Sequence, residues 1–161
     1  MNDGQAGIDP HQFREVCGQY ATGVAVITAS AADRQVGVTV NSFSSVSLDP
    51  PLVQFSLDRK ASVFPVFTEC GHFAVNVLSR GQQALSNMFA VRSDAFEEVD
   101  FSEGVGGCPI FADCVANLEC EKFAVYDGGD HIIILGRVKQ LRCAPTSDPL
   151  LFFRGTYGTF S

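Results

Sequence analysis

The sequence predicts a mainly antiparallel β fold, in which short strands form a small barrel and a few helices cover its ends. Three observations support this fold class. Many segments carry the branched or alternating apolar pattern of strands, two of them form a tight hairpin, and only a few segments have helical spacing. The 161 residues suit one domain with a single core, and no internal repeat or linker divides them.

The first half of the chain is predicted to form one helix and three strands. A helix over residues 10–20 begins with Asp9 as its N-cap and Pro10 in its first turn. The strand VAVITAS and the longer strand VGVTVNSFSSVS, residues 36–47, form the hairpin, and LVQFSLD follows the Asp-Pro-Pro turn as a third strand. The helix carries one apolar stripe that we expect to be buried, formed by Phe13, Val16, Cys17 and Tyr20.

The second half is predicted to contain two helices and three strands. A short helix over residues 61–70 has Ser62 as its predicted cap, and an amphipathic helix covers residues 81–91. The strand HFAVNVLS lies between them. After an irregular connection at residues 92–112, two long strands flank the sequence DGGD, and an apolar tail packs down. Because HIIILGRV is apolar on both faces, it needs a second layer, either a helix or another subunit, and a homodimer is the simpler of the two.

The second strand of the hairpin has one face that is small and polar. With period two, Val38 and Val40 fall on one face, and Gly37, Thr39 and Asn41 fall on the other. A ligand that must approach the backbone closely would use such a face, but so would the exposed side of an ordinary edge strand. Both interpretations stay open on the residues alone.

The charge pattern excludes several classes of partner. The net charge is −7 and the densest basic cluster is Arg59-Lys60, so we expect no nucleic-acid surface. No run approaches the roughly 18 consecutive apolar residues of a membrane helix, and the first residues lack the pattern of a signal peptide. We therefore predict a cytoplasmic protein without membrane contact, with a flexible N-terminus over residues 1–8 and one domain over residues 9–161.

The cysteines predict neither a disulfide framework nor a metal site. None forms a C-x-x-C pair, and closed zinc sites use tighter ligand spacing. We expect reduced thiols, most of them buried as small hydrophobic side chains. The six positions are Cys17, Cys70, Cys108, Cys114, Cys120 and Cys143.

Familiar catalytic signatures are missing from the sequence. The chain lacks G-x-S-x-G, a P-loop, G-x-G-x-x-G after a strand, and H-E-x-x-H. Asp127 and Asp130 are close in sequence, but they lie in a predicted turn, where carboxylates are normally solvated. An enzyme built on this chain would therefore depend on a bound cofactor for its reactive atoms.

Several segments, taken in order, resemble the short-chain flavin reductases. They are TGVAVITA, GVTVNSFSSVSLDPPLVQFSLD, FAVNVL, LEC, GDH and PLLFFRGTYG. Members of that family are FMN-binding split-barrel reductases, the small components of two-component flavin-dependent monooxygenases. The resemblance extends from about Phe13 to Phe160 and implies an antiparallel split β-barrel of the FMN-binding type.

The resemblance also implies an activity, that of an NAD(P)H:flavin oxidoreductase. Such an enzyme reduces FMN or FAD, with NADH or NADPH as hydride donor, and supplies the reduced flavin to a partner monooxygenase. Two alternatives stay open. One is a reductase that keeps FMN tightly bound and reduces a cobalamin or a metal complex. The other is a non-catalytic split-barrel protein that binds flavin or haem.

The flavin-binding residues are expected in two segments. In the family, the flavin ring lies against the strand end that matches Thr39, Val40, Asn41 and Ser42 here. The sequence SSVS offers a second cluster of donors, in which Ser45 and Val46 are candidate contacts of either the ring or the ribityl chain. The phosphate is expected at the N-terminus of the helix near residue 63, because unpaired N–H groups there attract anions. The candidates for that site are Arg59, Lys60, Ala61 and Ser62.

His131 is the candidate catalytic residue. With Asp130 it matches the family's G-D-H element, whose histidine lies near the flavin and is associated with nicotinamide binding. An imidazole there can orient the nicotinamide or stabilise charge on the reduced ring. The alternative is a strand-start histidine bonded to a carbonyl. Tyr157, in the aromatic tail, is a further candidate flavin contact, with core packing as its alternative.

Overall fold

The structure, a computed structural model, describes residues 7–145 and 147–159. Residues 1–6 of the predicted flexible N-terminus, and Phe160, lie outside this part. The described helices are α1 (Pro10–Cys17), α2 (Phe64–Glu69) and α3 (Gln83–Val91), none of them long and apolar enough to cross a bilayer. Short 3₁₀ turns lie at Arg80–Gln82, Ala95–Glu98 and Val105–Gly107.

The described strands are numbered in chain order. They are β1 (Thr22–Gly23), β2 (Ala25–Ala31), β3 (Arg34–Val40), β4 (Ser44–Leu48), β5 (Pro51–Asp58), β6 (His72–Val77), β7 (Ser102–Glu103), β8 (Pro109–Ile110), β9 (Ala116–Gly128), β10 (His131–Cys143), β11 (Leu151–Phe153) and β12 (Thr156–Gly158). Seven of them form one antiparallel sheet in the order β3-β2-β6-β9-β10-β5-β4. A second sheet, β1-β11-β12, holds the tail. The predicted class, mainly antiparallel sheet with few helices, is confirmed.

The large sheet is curled, because its two edge strands are consecutive in the chain. Only residues 41–43 connect β3 to β4, and four extended steps span at most about 14 Å. A flat seven-stranded sheet would hold its edges about 29 Å apart. Ser42, within this connection, is hydrogen-bonded to β5, the neighbour of the edge strand β4. Its hydroxyl accepts a hydrogen bond from the N–H of Ser56 in β5 (3.0 Å) and donates one to the Ser56 carbonyl (3.3 Å).

The curled sheet encloses one core, and a second core lies beneath α3 and the tail. Phe55 is central to the first, with its ring edge-on to Phe67 and Phe73 at centroid distances of 5.6 and 5.1 Å. Phe89 of α3 and Leu150 before the tail are buried in the second. Burying a side chain of this size stabilises the fold by about 1.5–3 kcal/mol.

Asn76, fully buried in β6, ties three segments together. Its Nδ2 donates to the carbonyl of Val26 (3.1 Å) and to the hydroxyl of Thr28 (3.2 Å). Its Oδ1 accepts from the N–H of Phe111 (3.0 Å) and from the side-chain amide of Asn117 (2.9 Å). A buried amide with all these partners fixes the position of the β8 segment against the sheet.

Two of the sequence-based element predictions are wrong. The predicted strand over residues 36–47 is two strands, because its second half, β4, pairs with β5 instead of continuing beside β2. Ser62 does not cap α2. That helix begins at Phe64, so the cap position falls to Val63, which makes no side-chain cap hydrogen bond.

The buried stripe predicted for the first helix is also wrong. α1 ends at Cys17 and contains no buried residue; Phe13 is 58% exposed and Val16 is 65% exposed. Arg154 of the tail is joined to the residues just beyond this helix: its backbone N–H donates to the carbonyl of Gly18 and its Nε donates to the side-chain oxygen of Gln19. Among the described residues, none buries the apolar side of α1.

Candidate active site

The candidate site is formed by two cavities that meet at the end of β3. The first has a volume of about 230 Å³ and is lined by residues 38–42 and 56–58, by Ala61 and by His131. The second, of about 220 Å³, is lined by Val24, Ala90, Phe152 and Tyr157 and again by residues 39–41. Each is smaller than the roughly 300–1,000 Å³ of typical ligand sites. The end of β3 is thus accessible from two sides.

Helix α3 packs against the small face of β3. A side-chain carbon added at Gly37 would lie 2.7 Å from the ring of Phe89, so only glycine fits there. Two residues on, the hydroxyl of Thr39 donates to the carbonyl of Ser86 (2.6 Å). The buried hydroxyl of Ser86 in turn shares a hydrogen bond with the Tyr157 hydroxyl (2.8 Å). The tail therefore supports α3, and α3 supports the strand that lines both cavities.

Asn41 and Ser42 continue this strand end in different ways. Asn41 is exposed and lines both cavities, so its amide offers a donor and an acceptor to a ligand. The Ser42 hydroxyl is already engaged with Ser56, although Ser42 also lines the first cavity. Ser45 and Val46 lie on β4 and are not among the lining residues of either cavity. Their predicted contact with flavin stays a prediction.

The segment after β5 makes a tight turn whose backbone is largely used internally. Asp58 accepts at its carboxylate from the N–H of Lys60 (2.8 Å) and at its carbonyl from the N–H of Ala61 (3.0 Å). Arg59 reaches away from the cavity to the turn at residues 127–130. Ser62 is exposed beside this turn. The expected phosphate site is therefore an open turn beside the first cavity, and no side chain caps the short helix there.

The turn before β10 places His131 at the cavity wall. Gly129 has a φ of +78°, a conformation that glycine adopts without strain. The imidazole Nδ1 lies 2.7 Å from a carboxylate oxygen of Asp130, and this hydrogen bond lowers the pKa of the Asp130 carboxyl below its ordinary value of 3.8. With Nδ1 engaged, Nε2 is the ring nitrogen left for a ligand. His131 pairs with Asp58 across the sheet, so the two turns lie side by side.

The cysteines and acidic residues build no metal centre in the described part of the chain, where no group of three or more His, Cys, Asp or Glu side chains has a geometry that could hold an ion. All six cysteines are free thiols. Burial raises the pKa of Cys108 and of Cys120 to about 12, and that of Cys114 to about 11. These thiols are inert packing groups at neutral pH.

The comparison with known protein families decides what kind of site this is. A family model described as a flavin reductase like domain matches residues 17–161. The chain belongs to the flavin reductase family. The sequence-based identification of a flavin reductase is thereby confirmed.

Individual flavin reductases are similar to this chain over most of its length. The FMN reductase (NADH) SmoA of Agrobacterium fabrum is 44% identical over 96% of this chain and 88% of that protein. The reductase subunit HsaB of a flavin-dependent monooxygenase from Rhodococcus jostii is 40% identical over 93% of this chain and 77% of that protein. The structure of the NADH:FAD oxidoreductase SgcE6 of Streptomyces globisporus superimposes with a TM-score of 0.91 at 38% identity, covering 96% of each chain.

The structure brings most of the predicted site residues of this flavin reductase to one place. Residues 39–42, Ala61, His131 and Tyr157 line the two cavities. The other predicted residues are not among the lining residues, and the side chain of Arg59 contacts the turn at residues 127–130; these others are Ser45, Val46, Arg59, Lys60, Ser62 and Asp130. Sequence reasoning missed Ser56 and Asp58, which line the first cavity. The period-two pattern of LVQFSLD places both on the face opposite the buried Phe55 and Leu57, so alternation could have found them.

Proposed function

We propose that this flavin reductase transfers hydride from NADH or NADPH to FMN or FAD bound at the end of β3, and that it releases the reduced flavin to a partner monooxygenase. The observation that carries the proposal is the position of His131. In a chain of this family, it stands across one cavity from residues 39–42, the strand end expected to hold the flavin ring.

The lining residues fit a flat ring with a polar edge. Residues 39–41 present short side chains and a strand backbone, so a planar group can approach closely. The Asn41 amide and the neighbouring backbone supply donors and acceptors for ring carbonyls and nitrogens. Lys60 and the exposed Ser62 flank Ala61, which lines the first cavity, and they offer the cation and the hydroxyl that a phosphate needs. The FMN or FAD and pyridine nucleotide expected for the family therefore suit the residues present.

The protein's part in the reaction is mainly positional. When bound, the reduced pyridine nucleotide supplies a hydride and the flavin accepts it. His131, held at Nδ1 by Asp130, presents Nε2 to the cavity and orients a carboxamide or stabilises negative charge nearby. Thr39, locked to Ser86, keeps the strand rigid. Fixing two reactants about 3–3.5 Å apart provides most of the acceleration that such a transfer needs, so no strong acid or base is required.

The function is tested by NADH and NADPH oxidation with purified protein, each with no added flavin, with FMN and with FAD. We expect turnover that depends on added flavin. Turnover without added flavin, by protein that retains FMN through purification, would favour the tightly bound reductase of another acceptor. Flavin binding without nucleotide oxidation would favour the alternative of a non-catalytic flavin-binding protein. An intense haem absorbance band would identify the haem-binding alternative.

The role of His131 is tested separately by comparing turnover with flavin affinity. His131→Ala should lower kcat/KM for NADH about tenfold or more, since loss of a charge-assisted hydrogen bond costs about 1.5–3 kcal/mol. The dissociation constant for flavin should change much less. His11→Ala, an exposed histidine on α1, is the matched control and should leave both values unchanged. Equal losses of turnover and flavin affinity in His131→Ala would refute the assigned role.

We also propose a split barrel that completes its site as a homodimer. His131, Ile133 and Leu135 share one face of β10 because strand residues alternate, and the last two are only partly buried. That face continues into the small first cavity, so a second protomer seated on it would cover apolar surface and deepen the cavity. Size-exclusion chromatography with light scattering should give twice the mass of one chain. Leu135→Asp should halve that mass, whereas a monomeric wild type would contradict the proposal.

The cellular location and the partner of the reductase are inferred from its cofactors and its relatives. We place it in the cytoplasm, where reduced pyridine nucleotides are supplied and where exposed thiols such as Cys17 and Cys143 stay reduced. A partner monooxygenase is supported by relatives that are reductase subunits of such enzymes. Co-expression with the oxygenase encoded nearby should couple NADH oxidation to substrate hydroxylation. Hydrogen peroxide formed in place of hydroxylated product would contradict that pairing.

A further inference from the structure

Arg59 binds the turn at residues 127–130 in three places. Its backbone N–H donates to the carbonyl of Asp130 (3.0 Å). Its Nε donates to the carbonyl of Gly129 (2.9 Å), and its Nη2 forms an ion pair with the carboxylate of Asp127. All three acceptors lie in the four residues that precede His131. The side chain thus links the end of β5 to the turn that begins β10.

These contacts leave Arg59 badly placed to hold the flavin phosphate. The Nε and Nη2 hydrogens of arginine form the edge that binds a carboxylate or phosphate side by side. Here that edge is occupied by the carbonyl of Gly129 and the carboxylate of Asp127. Lys60, by contrast, takes part in none of the ion pairs of the described residues. The neighbouring lysine is therefore the cation that remains for a phosphate.

The turn that Arg59 binds is held at its base by the β9–β10 ladder, which pairs Asp127 with Ile132 and Gly128 with His131 and leaves only Gly129 and Asp130 at its tip. It contains Gly128 and Gly129, and all four of its residues are exposed. Glycine backbones lose the most conformational freedom when they are fixed. An exposed ion pair such as Arg59–Asp127 contributes little to the global free energy of unfolding. What it can do is restrict this turn locally, and the residue that depends on the turn is His131.

We infer that Arg59 is a positioning residue, which holds the turn of residues 127–130 so that the imidazole of His131 keeps its place at the wall of the first cavity. The inference rests on the proposed function, in which His131 contacts the nicotinamide. The contacts form a continuous chain. Arg59 fixes the carbonyls of Gly129 and Asp130, and the Asp130 carboxylate holds Nδ1 of His131 at 2.7 Å.

The first test needs neither flavin nor nucleotide. The pKa of the Asp130 carboxyl is lowered chiefly by its hydrogen bond to His131 and only slightly by the charge of Lys60, so it reports whether that hydrogen bond persists. In an NMR titration, Arg59→Met should raise this pKa toward 3.8 by more than Lys60→Met does. Lys60→Met is the control, because it removes a charge from the same region without removing any hydrogen bond to the turn. An Arg59→Met shift no larger than the control's would overturn the inference.

The second test is kinetic. Arg59→Met and Asp127→Ala should each raise the KM for NADH and lower kcat/KM, Arg59→Met about tenfold, within the loss that a misplacement of about 1 Å can cause. The double variant should be no worse than Arg59→Met alone, because Arg59→Met already removes the contact with Asp127. In a His131→Ala background, Arg59→Met should have no further effect. An additional loss in that background would show that Arg59 does not act through His131.

Flavin affinity separates this role from phosphate binding. Riboflavin lacks the phosphate of FMN, so Arg59→Met should change the dissociation constants of the two flavins by the same factor, whereas Lys60→Met should weaken FMN alone. Selective loss of FMN in Arg59→Met would make Arg59 a phosphate ligand and overturn the inference. Failure of the wild type to oxidise NADH would instead refute the proposed function, and the Asp130 titration would then decide by itself whether Arg59 holds the turn.

Discussion

Replacing Gly37 by alanine tests how tightly helix α3 is seated on the strand that lines the site. The added methyl group would lie 2.7 Å and 2.8 Å from two ring carbons of Phe89. That ring cannot easily yield, because it is buried and packs against Phe96 and Phe111 at centroid distances of 5.0 and 5.4 Å. Helix α3 must therefore shift, and it carries the Ser86 carbonyl that holds Thr39.

The expected loss follows from two opposing effects. Forcing a methyl group into a packed core costs about 1–3 kcal/mol. Replacing glycine also removes freedom from the unfolded chain, which returns about 0.4–1 kcal/mol. We expect a net loss of about 1–2 kcal/mol in the free energy of unfolding, or a Tm lower by roughly 2–8 °C for a chain of this size. Flavin affinity should fall as well, because the strand end shifts with the helix.

Two further variants make this result interpretable. Gly71→Ala is the matched control, because an added side-chain carbon there meets no atom within 4 Å, and its Tm should stay within about 2 °C of the wild type. Adding Phe89→Leu to Gly37→Ala should recover part of the loss, since the smaller side chain makes room for the methyl group. A Gly37→Ala variant as stable as Gly71→Ala would refute the packing argument. Equal losses with and without Phe89→Leu would do the same.

Three other measurements test separate parts of the structure. Iodoacetamide at pH 8 should add two groups rapidly to the native protein, at the exposed Cys17 and Cys143, and six after denaturation. The other four thiols are buried, and burial raises the pKa of Cys70 above its ordinary value and that of Cys108, Cys114 and Cys120 to between about 11 and about 12. Intact mass counts the adducts, and a third rapid adduct would contradict the burial. Asn76→Ala should lower the free energy of unfolding, measured in urea, by about 1–3 kcal/mol for each buried partner left unsatisfied. Alanine at the exposed Asn87 is the control and should change that free energy little. Similar values for both variants would show that the Asn76 network is not stabilising. His131→Ala should raise the pKa of the Asp130 carboxyl toward 3.8, because the hydrogen bond that lowers it is lost. As the pH falls, this carboxylate then becomes protonated at a higher pH than in the wild type. An unchanged midpoint in an NMR titration would show that the hydrogen bond is absent in solution.

Periodicity and turn residues predicted most of the fold. The hairpin of β2 and β3, strands β5, β6, β9 and β10, and the helix now called α3 lie where their apolar patterns place them. The break between β3 and β4 was missed, because the apolar pattern of residues 36–47 does not reveal that Ser44 pairs with Gln54 of β5 instead of continuing the strand beside β2. The exposure of α1 was also hidden, since spacing shows that residues share a face but not what covers that face.

The site was predictable only in part. The small face of β3 was recognised, but its use was misjudged at Gly37, where helix α3 and not a ligand needs the space. That contact joins residues 52 positions apart in the sequence, and no local pattern carries it. The position of His131 at the cavity agrees with the family resemblance. The side-chain contacts of Arg59 depend on two turns that meet only after the strands have paired, so they could not be predicted from the sequence, and a role of Arg59 at the phosphate stays a prediction.

The hydroxyl of Tyr157 touches Ser86, whose carbonyl holds Thr39. Proteolytic cleavage between β10 and Tyr157 would leave the seven-stranded sheet and the core around Phe55 intact. It would nevertheless remove the hydrogen bond between Tyr157 and Ser86. Such a truncated enzyme would look intact by circular dichroism while its affinity for flavin had declined. Loss of activity during storage could then report tail trimming well before any unfolding.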